Sequence, residues 1–198
     1  MNMKVIFPVI AASMLLGSPL TFAAENVSGG TIHFMGTVTD ATCTINGNNA
    51  ESFTVALDPI NTEQAGKNEG LIDAGKKAFS LTFSNCSSAS AEKDDSGKIT
   101  SSLKLQFSSA NTISDDGKYL INQQMNAQGN PQNVGVAIVK QSAETQPILL
   151  NQPLDSGVNG STSTPESLNF YAKYYKVGSD AAEPGQVKTM VTYSISYL

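Results

Sequence analysis

Few residues in this 198-residue chain are of types that perform chemistry. The only imidazole belongs to His33, which lies within an alternating run, with no acid nearby and no Gly-x-Ser-x-Gly element to supply a nucleophile. Residues 70–77 approach the phosphate-binding pattern G-x-x-x-x-G-K-S/T, but Lys77 replaces the hydroxyl that would bind magnesium. We therefore predict a polar strand position for His33 and a loop with chance glycines at residues 70–77.

Metal binding is also poorly supported by the sequence. The pairs Asp94-Asp95 and Asp115-Asp116 lack the alternating acidic spacing and the distal Glu of a calcium loop, so solvated turns are predicted. One His and two Cys cannot supply the four protein ligands of a structural zinc site. We expect no enzyme activity, no cofactor and no metal site.

The overall composition narrows the class of protein further. Hydrophobic residues make up 40% of the chain, which is too many for a wholly disordered protein. The net charge is −5, and all twelve basic residues are Lys, so the guanidinium groups that commonly recognise nucleic acids are missing. Nucleic acid is therefore not an expected partner.

Residues 1–23 have the pattern of a secretory signal peptide. Lys4 precedes an apolar stretch over residues 5–16, and small residues at Thr21 and Ala23 favour cleavage between Ala23 and Ala24. The apolar stretch is shorter than the roughly 20 residues that a membrane-spanning helix needs, and no later stretch approaches that length. The mature chain is expected to fold outside the cytosol with no membrane span.

Cys43 and Cys86 are the only cysteines, so they must pair if a single intramolecular disulfide forms. Disulfides persist in the oxidising compartments to which a signal peptide leads, and two free thiols would be unusual there. Closing a loop of this length stabilises a fold by about 4 kcal/mol in the chain-entropy model.

Apolar residues alternate with polar ones along most of the chain, and long helical stripes are scarce. This pattern, with turn residues between the runs, predicts one all-β sandwich domain. Residues 63–73 could hold a helical turn, although Gly66 and Gly70 favour a loop. The predicted strands cover residues 31–38, 41–45, 52–57, 78–84, 103–107, 134–138, 148–150, 168–175 and 187–198.

Two strands at the ends of the chain need partners. The first carries Ile32 and Phe34 on one face, which must be buried against its own sheet or another molecule, and sequence physics does not choose between these. The last strand runs to Leu198, which leaves no further chain to cover its edge.

Four motifs in this order resemble the structural pilins of the chaperone–usher fimbrial family, similar to the shaft subunits of type 1 and type 3 fimbriae. The first is the Gly-Gly-Thr-Ile-His-Phe-Met-Gly stretch at residues 29–36, with Val38 and Cys43 following at the family's distance. The second and third are residues 79–86, which end at Cys86, and residues 133–139. The fourth combines Gly185 and Tyr197 near the end with an aromatic stretch over residues 170–175.

The resemblance implies an incomplete immunoglobulin-like sandwich that lacks its last strand and is completed by a strand from a neighbouring subunit. Residues 24–37 would be this donor extension, and residues 38–198 would be the pilin domain. Gly185 and Tyr197 would belong to the acceptor groove and to the edge that a chaperone binds. The donor residues on the inserted face would be Ser28, Gly30, Ile32, Phe34 and Gly36.

The implied function is that of a structural subunit which polymerises head-to-tail into a surface fimbria and supports adhesion. Its partners would be identical or related pilin subunits, a periplasmic chaperone and an outer-membrane usher, and it would reach the cell surface through the periplasm. Two alternatives are a minor adaptor or terminator pilin and a monomeric, secreted carbohydrate-binding sandwich.

Overall fold

The computed structural model describes residues 41–46, 52–88, 91–125, 132–160 and 164–197. The predicted cleavage at Ala23–Ala24, the position of His33 and the whole donor extension, residues 24–37, lie outside these ranges, as does the boundary at Val38. The described elements are β1 (Ala41–Ile45), α1 (Thr62–Ala65), β2 (Gly70–Ser88), β3 (Lys104–Ser108), β4 (Val134–Lys140), β5 (Leu154–Asp155), β6 (Glu166–Lys176) and β7 (Thr192–Ser196).

The strands form two antiparallel sheets, which confirms the predicted all-β class. One sheet has the order β1-β2-β6-β4, and the other has the order β5-β3-β7. Alternation explains this arrangement: in β3, Leu105 and Phe107 are buried, whereas Gln106 between them is exposed. Each sheet thus buries an apolar face, and the two buried faces share one core cluster.

Aromatic rings link the two sheets through the core. Phe170 in β6 is 1% exposed and stacks on Phe79 of the adjacent strand β2, with ring centroids 5.4 Å apart. On its other side Phe170 meets the edge of Phe107 in β3 of the second sheet, at 6.5 Å. Phe53 extends the series outward, 6.0 Å from Phe79, and is 43% exposed.

The loop predicted at residues 70–77 is wrong, because β2 begins at Gly70 and pairs there with β6. The register shifts between Ile72 and Lys77, so the glycines mark a bulge within a long strand rather than a turn between strands. Gly75 has a φ of +74°, and a Cβ at this position would lie 2.4 Å from the carbonyl oxygen of Asp58. Glycine is needed there for both conformation and space.

The helix α1 overlaps the start of residues 63–73, where Gly66 and Gly70 favour a loop. The Asn61 side chain accepts a hydrogen bond from the Gln64 amide at 2.8 Å, and the Gln64 side chain accepts one from the Asn61 amide at 2.9 Å. This reciprocal capping box fixes one helical turn over Thr62–Ala65. Gly66, with a φ of +71°, ends the turn.

Three predicted strands also need correction. Residues 52–57 and 148–150 form no strand, and the last strand covers Thr192–Ser196 rather than residues 187–198. In each case the apolar side chains still pack on the core, as Val55, Leu57 and Val187 do. In these segments, burial of alternate side chains on the core accounts for the alternating pattern, and no strand pairing is needed to explain it.

A buried lysine in β6, Lys173, joins β2 to the loop after β4. The Lys173 side chain is 2% exposed, and its Nζ donates to Asp73 Oδ1 at 2.6 Å and to the Glu144 carbonyl at 2.8 Å. Glu144 also pairs with Lys76 at 2.5 Å. The hydrogen bond from Lys173 lowers the pKa of Asp73, and the one from Lys76 lowers the pKa of Glu144.

We expect Glu144→Gln to reduce stability at about pH 6 and to cost less at about pH 3, where the contribution of the carboxylate is already decreasing. Because the folded state lowers the carboxyl pKa, Glu144 stabilises the fold above its usual pKa of 4.5 and ceases to do so as the pH falls through the lowered value. Urea midpoints at both pH values measure this difference. Asp95→Asn, which removes a carboxylate with no ion pair in the described part of the chain, should shift the midpoint equally little at both. Parallel loss by Glu144→Gln at both pH values would contradict the assignment.

Candidate functional site

The C-terminal strand β7 carries apolar side chains against the core. It pairs with β3 from Ser108↔Thr192 to Lys104↔Ser196, and it is the last strand in the described order of its sheet. Ile195 is buried in the core cluster, and Tyr193 packs against that cluster while remaining half-buried. The strand therefore pairs with β3 and contributes to an apolar surface that is only partly covered.

Two segments that are not strands also carry half-buried apolar side chains. Val55 and Leu57 lie in the segment over residues 52–60, and Val187 and Val191 lie in the segment that leads into β7. All four pack against the same core cluster without being fully buried. We call these side chains, together with Tyr193, the apolar rim. It is the feature of the described sandwich that best fits the binding of a further apolar strand.

Gly185 lies beside a buried polar network that holds the segment leading into β7 in place. A Cβ on Gly185 would lie 1.7 Å from Gln132 Nε2, so no larger residue fits unless Gln132 moves. Gln132 is buried, and its Oε1 accepts a hydrogen bond from Asn122 Nδ2 at 2.6 Å. Asn122 also donates to the Gln186 carbonyl at 3.0 Å and accepts from the Lys188 amide at 3.0 Å.

Sequence reasoning did not find this network. Asn122 and Gln132 lie in turn-rich stretches with no apolar periodicity, and their partners are distant in sequence. Their burial, at 6% and 8% exposure, is the only property that singles them out, and it is visible only in the fold.

Tyr197 follows β7 directly and points into the domain. Its side chain is buried, and its hydroxyl donates a hydrogen bond to the Asn159 carbonyl at 2.5 Å. Burial, with a smaller contribution from the Glu166 carboxylate, raises the pKa of the Tyr197 phenol, so it remains a protonated donor at neutral pH. The roles of Gly185 and Tyr197 toward a neighbouring subunit or chaperone stay predictions.

The predicted disulfide is present between Cys43 and Cys86, which confirms that pairing. It joins β1 to the final part of β2 close to the point where their register shifts between Thr42 and Thr44. Cys86 is buried in the core cluster, whereas Cys43 packs against it half-buried.

The other residues considered for chemistry are held in structural contacts. Lys76 pairs with Glu144, and Lys77 pairs with Asp58 at 3.2 Å, so these cations of the phosphate-loop-like stretch face carboxylates. Asp94 accepts hydrogen bonds from the backbone of Ser96 and Lys98 and so closes a tight turn. In the ranges that the structure describes, His, Cys, Asp and Glu form no group of three that could hold a metal ion.

No helix within the described residues is long and apolar enough to cross a membrane.

Comparison with known proteins identifies the family. The family model described as "Fimbrial protein" matches residues 32–198. The major fimbrial subunit SMF-1 of Stenotrophomonas maltophilia is 30% identical over 93% of this chain and 99% of its own length. The type-1 fimbrial protein A chain of Escherichia coli is 24% identical over the full length of both chains.

Solved structures support the fold. The crystal structure of the P pilus rod subunit PapA has a TM-score of 0.55 at 14% identity, covering 79% of this chain and 99% of that one. A chain from a structure of a chaperone–usher pilus gives the same TM-score at 14% identity, covering 87% and 97%. The curated relatives are structural subunits rather than enzymes. Together with the two-sheet sandwich described above, these matches show that the chain belongs to the fimbrial protein family and is a fimbrial subunit.

Proposed function

We propose that this subunit polymerises head-to-tail by inserting its residues 24–37 into the sandwich of the next subunit, and that the resulting fibre supports adhesion at the cell surface. The observation that carries the proposal is the apolar rim, where Val55, Leu57, Val187, Val191 and Tyr193 are packed on the core but incompletely covered. A strand bound along this rim would complete their burial.

The donor extension has the pattern that such a surface requires. Ile32 and Phe34 are two residues apart, so a strand would present both on the same face. Full burial of each side chain would contribute about 1.5–3 kcal/mol, and main-chain hydrogen bonds along the inserted strand would add to this. Ser28, Gly30 and Gly36 share that face and would fit where the rim leaves less room.

We also propose the route by which the subunit reaches the fibre. Residues 1–23 would direct export to the periplasm with cleavage between Ala23 and Ala24, and a periplasmic chaperone would cover the apolar rim until an outer-membrane usher delivers the subunit. The chaperone edge would include the segment from Gly185 to Tyr197. This part of the proposal is supported by the signal-like pattern and by membership of the family.

The experiment compares two double variants of the donor extension in cells that assemble the fibre. We expect Ile32→Asp with Phe34→Asp to abolish the heat-sensitive ladder of multimers on denaturing gels of surface extracts, because two charges would enter an apolar core. Thr31→Asp with His33→Asp adds the same two charges to the opposite face of the strand and should leave the ladder intact.

A normal ladder from the Ile32/Phe34 variant would show that these side chains do not enter a neighbour. Loss of the ladder in both variants would show that the effect comes from added charge rather than from the inserted face. Deleting residues 24–37 provides an independent check, since it should leave a monomer that reaches the periplasm but forms no polymer.

A further inference from the structure

A polar cleft lies where the ends of β4 and β5, one strand from each sheet, approach each other. Lys140 is the last residue of β4, and its Nζ donates to the carbonyl oxygen of Asp155, the last residue of β5, at 3.3 Å. The cleft has a volume of about 480 Å³, within the range of small-molecule sites. Its polar lining residues are Lys140, Gln141, Ser142, Ser156, Ser167 and Asn169, and we call it the Lys140 cleft.

The Lys140 cleft has a positive charge that is not neutralised locally. Lys140 is half-buried and forms no ion pair with any carboxylate in the part of the chain that the structure describes. The nearby Asp155 carboxylate is already held by Lys104 and by the Ser102 hydroxyl. Among the described residues that line the cleft, none carries a carboxylate. An anionic group would therefore meet a cation in this cleft and no opposing charge.

Neutral polar groups beside Lys140 have hydrogen-bonding capacity to spare. The side chains of Ser142 and Asn169 are exposed and form no hydrogen bond with the other residues that the structure describes. Gln141 donates through Nε2 to the Phe170 carbonyl at 3.3 Å, which leaves its second amide hydrogen and its Oε1 for other partners. A ligand that carries several hydroxyls matches these groups, because each hydroxyl both donates and accepts.

A second, smaller cleft shares Lys140 with the first and is lined largely by apolar residues. Its volume is about 280 Å³, and Pro147, Pro153 and Leu149 contribute to its walls. Leu149 is 40% exposed, so it offers apolar surface to a ligand. A ligand bound at Lys140 thus encounters a cation, free hydroxyl and amide groups, and an apolar wall. An acidic sugar combines the three complementary features: a carboxylate, several hydroxyls and an apolar C–H face.

We propose that the Lys140 cleft binds an acidic sugar residue, a hexuronate, of a polysaccharide. The sugar carboxylate pairs with Lys140 Nζ, and its hydroxyls bond to Ser142 and Asn169. Because β5 and β7 lie on opposite sides of β3, a donor strand beside β7 would leave this cleft open. The inference rests on the proposed function only for adhesion: a fibre would repeat the cleft in every subunit, so that many weak sites would together retain it on a polysaccharide.

The test measures binding of glucuronic acid to the purified protein by saturation-transfer NMR. We expect Lys140→Gln to raise the dissociation constant about 10-fold or more, through loss of one charge-assisted hydrogen bond. Asn169→Ala, which changes an exposed side chain, should raise it about 2- to 10-fold through loss of a neutral hydrogen bond. Wild-type affinity in both variants would overturn the inference.

Lys93→Gln is the matched control for the loss of a positive charge. Lys93 is exposed, forms no ion pair within the described ranges and lines neither cleft. Its replacement should leave the dissociation constant unchanged. Equal losses from Lys93→Gln and Lys140→Gln would mean that net charge, rather than the cleft, attracts the sugar, and would overturn the inference.

Two further ligands test the chemistry assigned to the cleft. Glucose has the ring and the hydroxyls without a carboxylate, and it should bind about 10-fold more weakly than glucuronic acid or worse. Inorganic phosphate has charge without a sugar ring, and it should displace glucuronic acid only when present in excess. Glucose binding as tightly as glucuronic acid, or displacement by phosphate at equal concentration, would overturn the assignment of an acidic sugar.

Adhesion is measured separately, with purified fimbriae on surfaces coated with hyaluronan, which contains glucuronate, or with uncharged dextran. Wild-type fimbriae should be retained on hyaluronan alone, and Lys140→Gln fimbriae on neither surface. Equal retention of the two on hyaluronan would overturn the role in adhesion. Failure of the polymerisation proposal is read from the Ile32/Phe34 variant instead, because binding of glucuronic acid to one subunit does not depend on a polymer.

Discussion

Replacing Phe170 with alanine is expected to lower the free energy of unfolding by about 3–5 kcal/mol. The side chain is 1% exposed and lies between Phe79 in its own sheet and Phe107 in the opposite sheet. Its removal would leave a cavity where the two sheets meet, and it would break two aromatic contacts at once. A loss of this size is a large fraction of the roughly 5–15 kcal/mol that stabilises a typical domain.

Chemical denaturation of the purified protein, followed by circular dichroism, measures this loss. Phe53→Ala is the matched control, because it removes the same side chain from the exposed end of the same ring series, where Phe53 is 43% exposed. We expect that control to lose about 1 kcal/mol or less. Equal losses from the two variants would mean that Phe170 does not join the sheets in the way its contacts indicate.

The second large effect is expected from removing the disulfide. Changing both Cys43 and Cys86 to serine should cost about 2–5 kcal/mol, because the unfolded chain is then no longer constrained by a bond between residues 43 positions apart. The position of Cys86 adds to this loss of stability. Cys86 is buried beside Gly160, so a serine there would place a hydroxyl group in a buried, mainly apolar contact.

Denaturant midpoints with and without reductant separate these contributions. Reductant should destabilise the wild type and leave the double serine variant unchanged. The Cys86→Ser single variant should be less stable than the Cys43→Ser single variant, because Cys43 is only half-buried. A double variant within about 1 kcal/mol of the wild type would show that the bond contributes little to this fold.

Alternation predicted the central strands well for a physical reason. Residues 78–84 and 168–175 have one face in the core and one toward solvent, so their apolar residues recur with period 2. The start of β2 was missed because Gly70 and Gly75 look like turn residues. These glycines allow a bulge beside the Asp58 carbonyl. That bulge depends on a contact with a separate segment of the chain, which the local sequence around Gly75 does not reveal.

The candidate site was less predictable than the sheets. Gly185 and Tyr197 were assigned by resemblance, and no periodicity or spacing indicated what they would contact. The structure supplies those contacts, with Gln132 against Gly185 and the Asn159 carbonyl against Tyr197. Both are long-range contacts between irregular segments, and local sequence carries no pattern for such encounters.

The apolar rim has a consequence for how sequences of this kind can vary. In the proposed assembly, Val55, Leu57, Val187 and Val191 determine both how strongly a fibre holds together and how readily an isolated subunit aggregates. A polar substitution that made the monomer more soluble would weaken the polymer by the same loss of buried area. In such an assembly, substitutions at these four positions could not raise the solubility of the monomer without weakening the fibre.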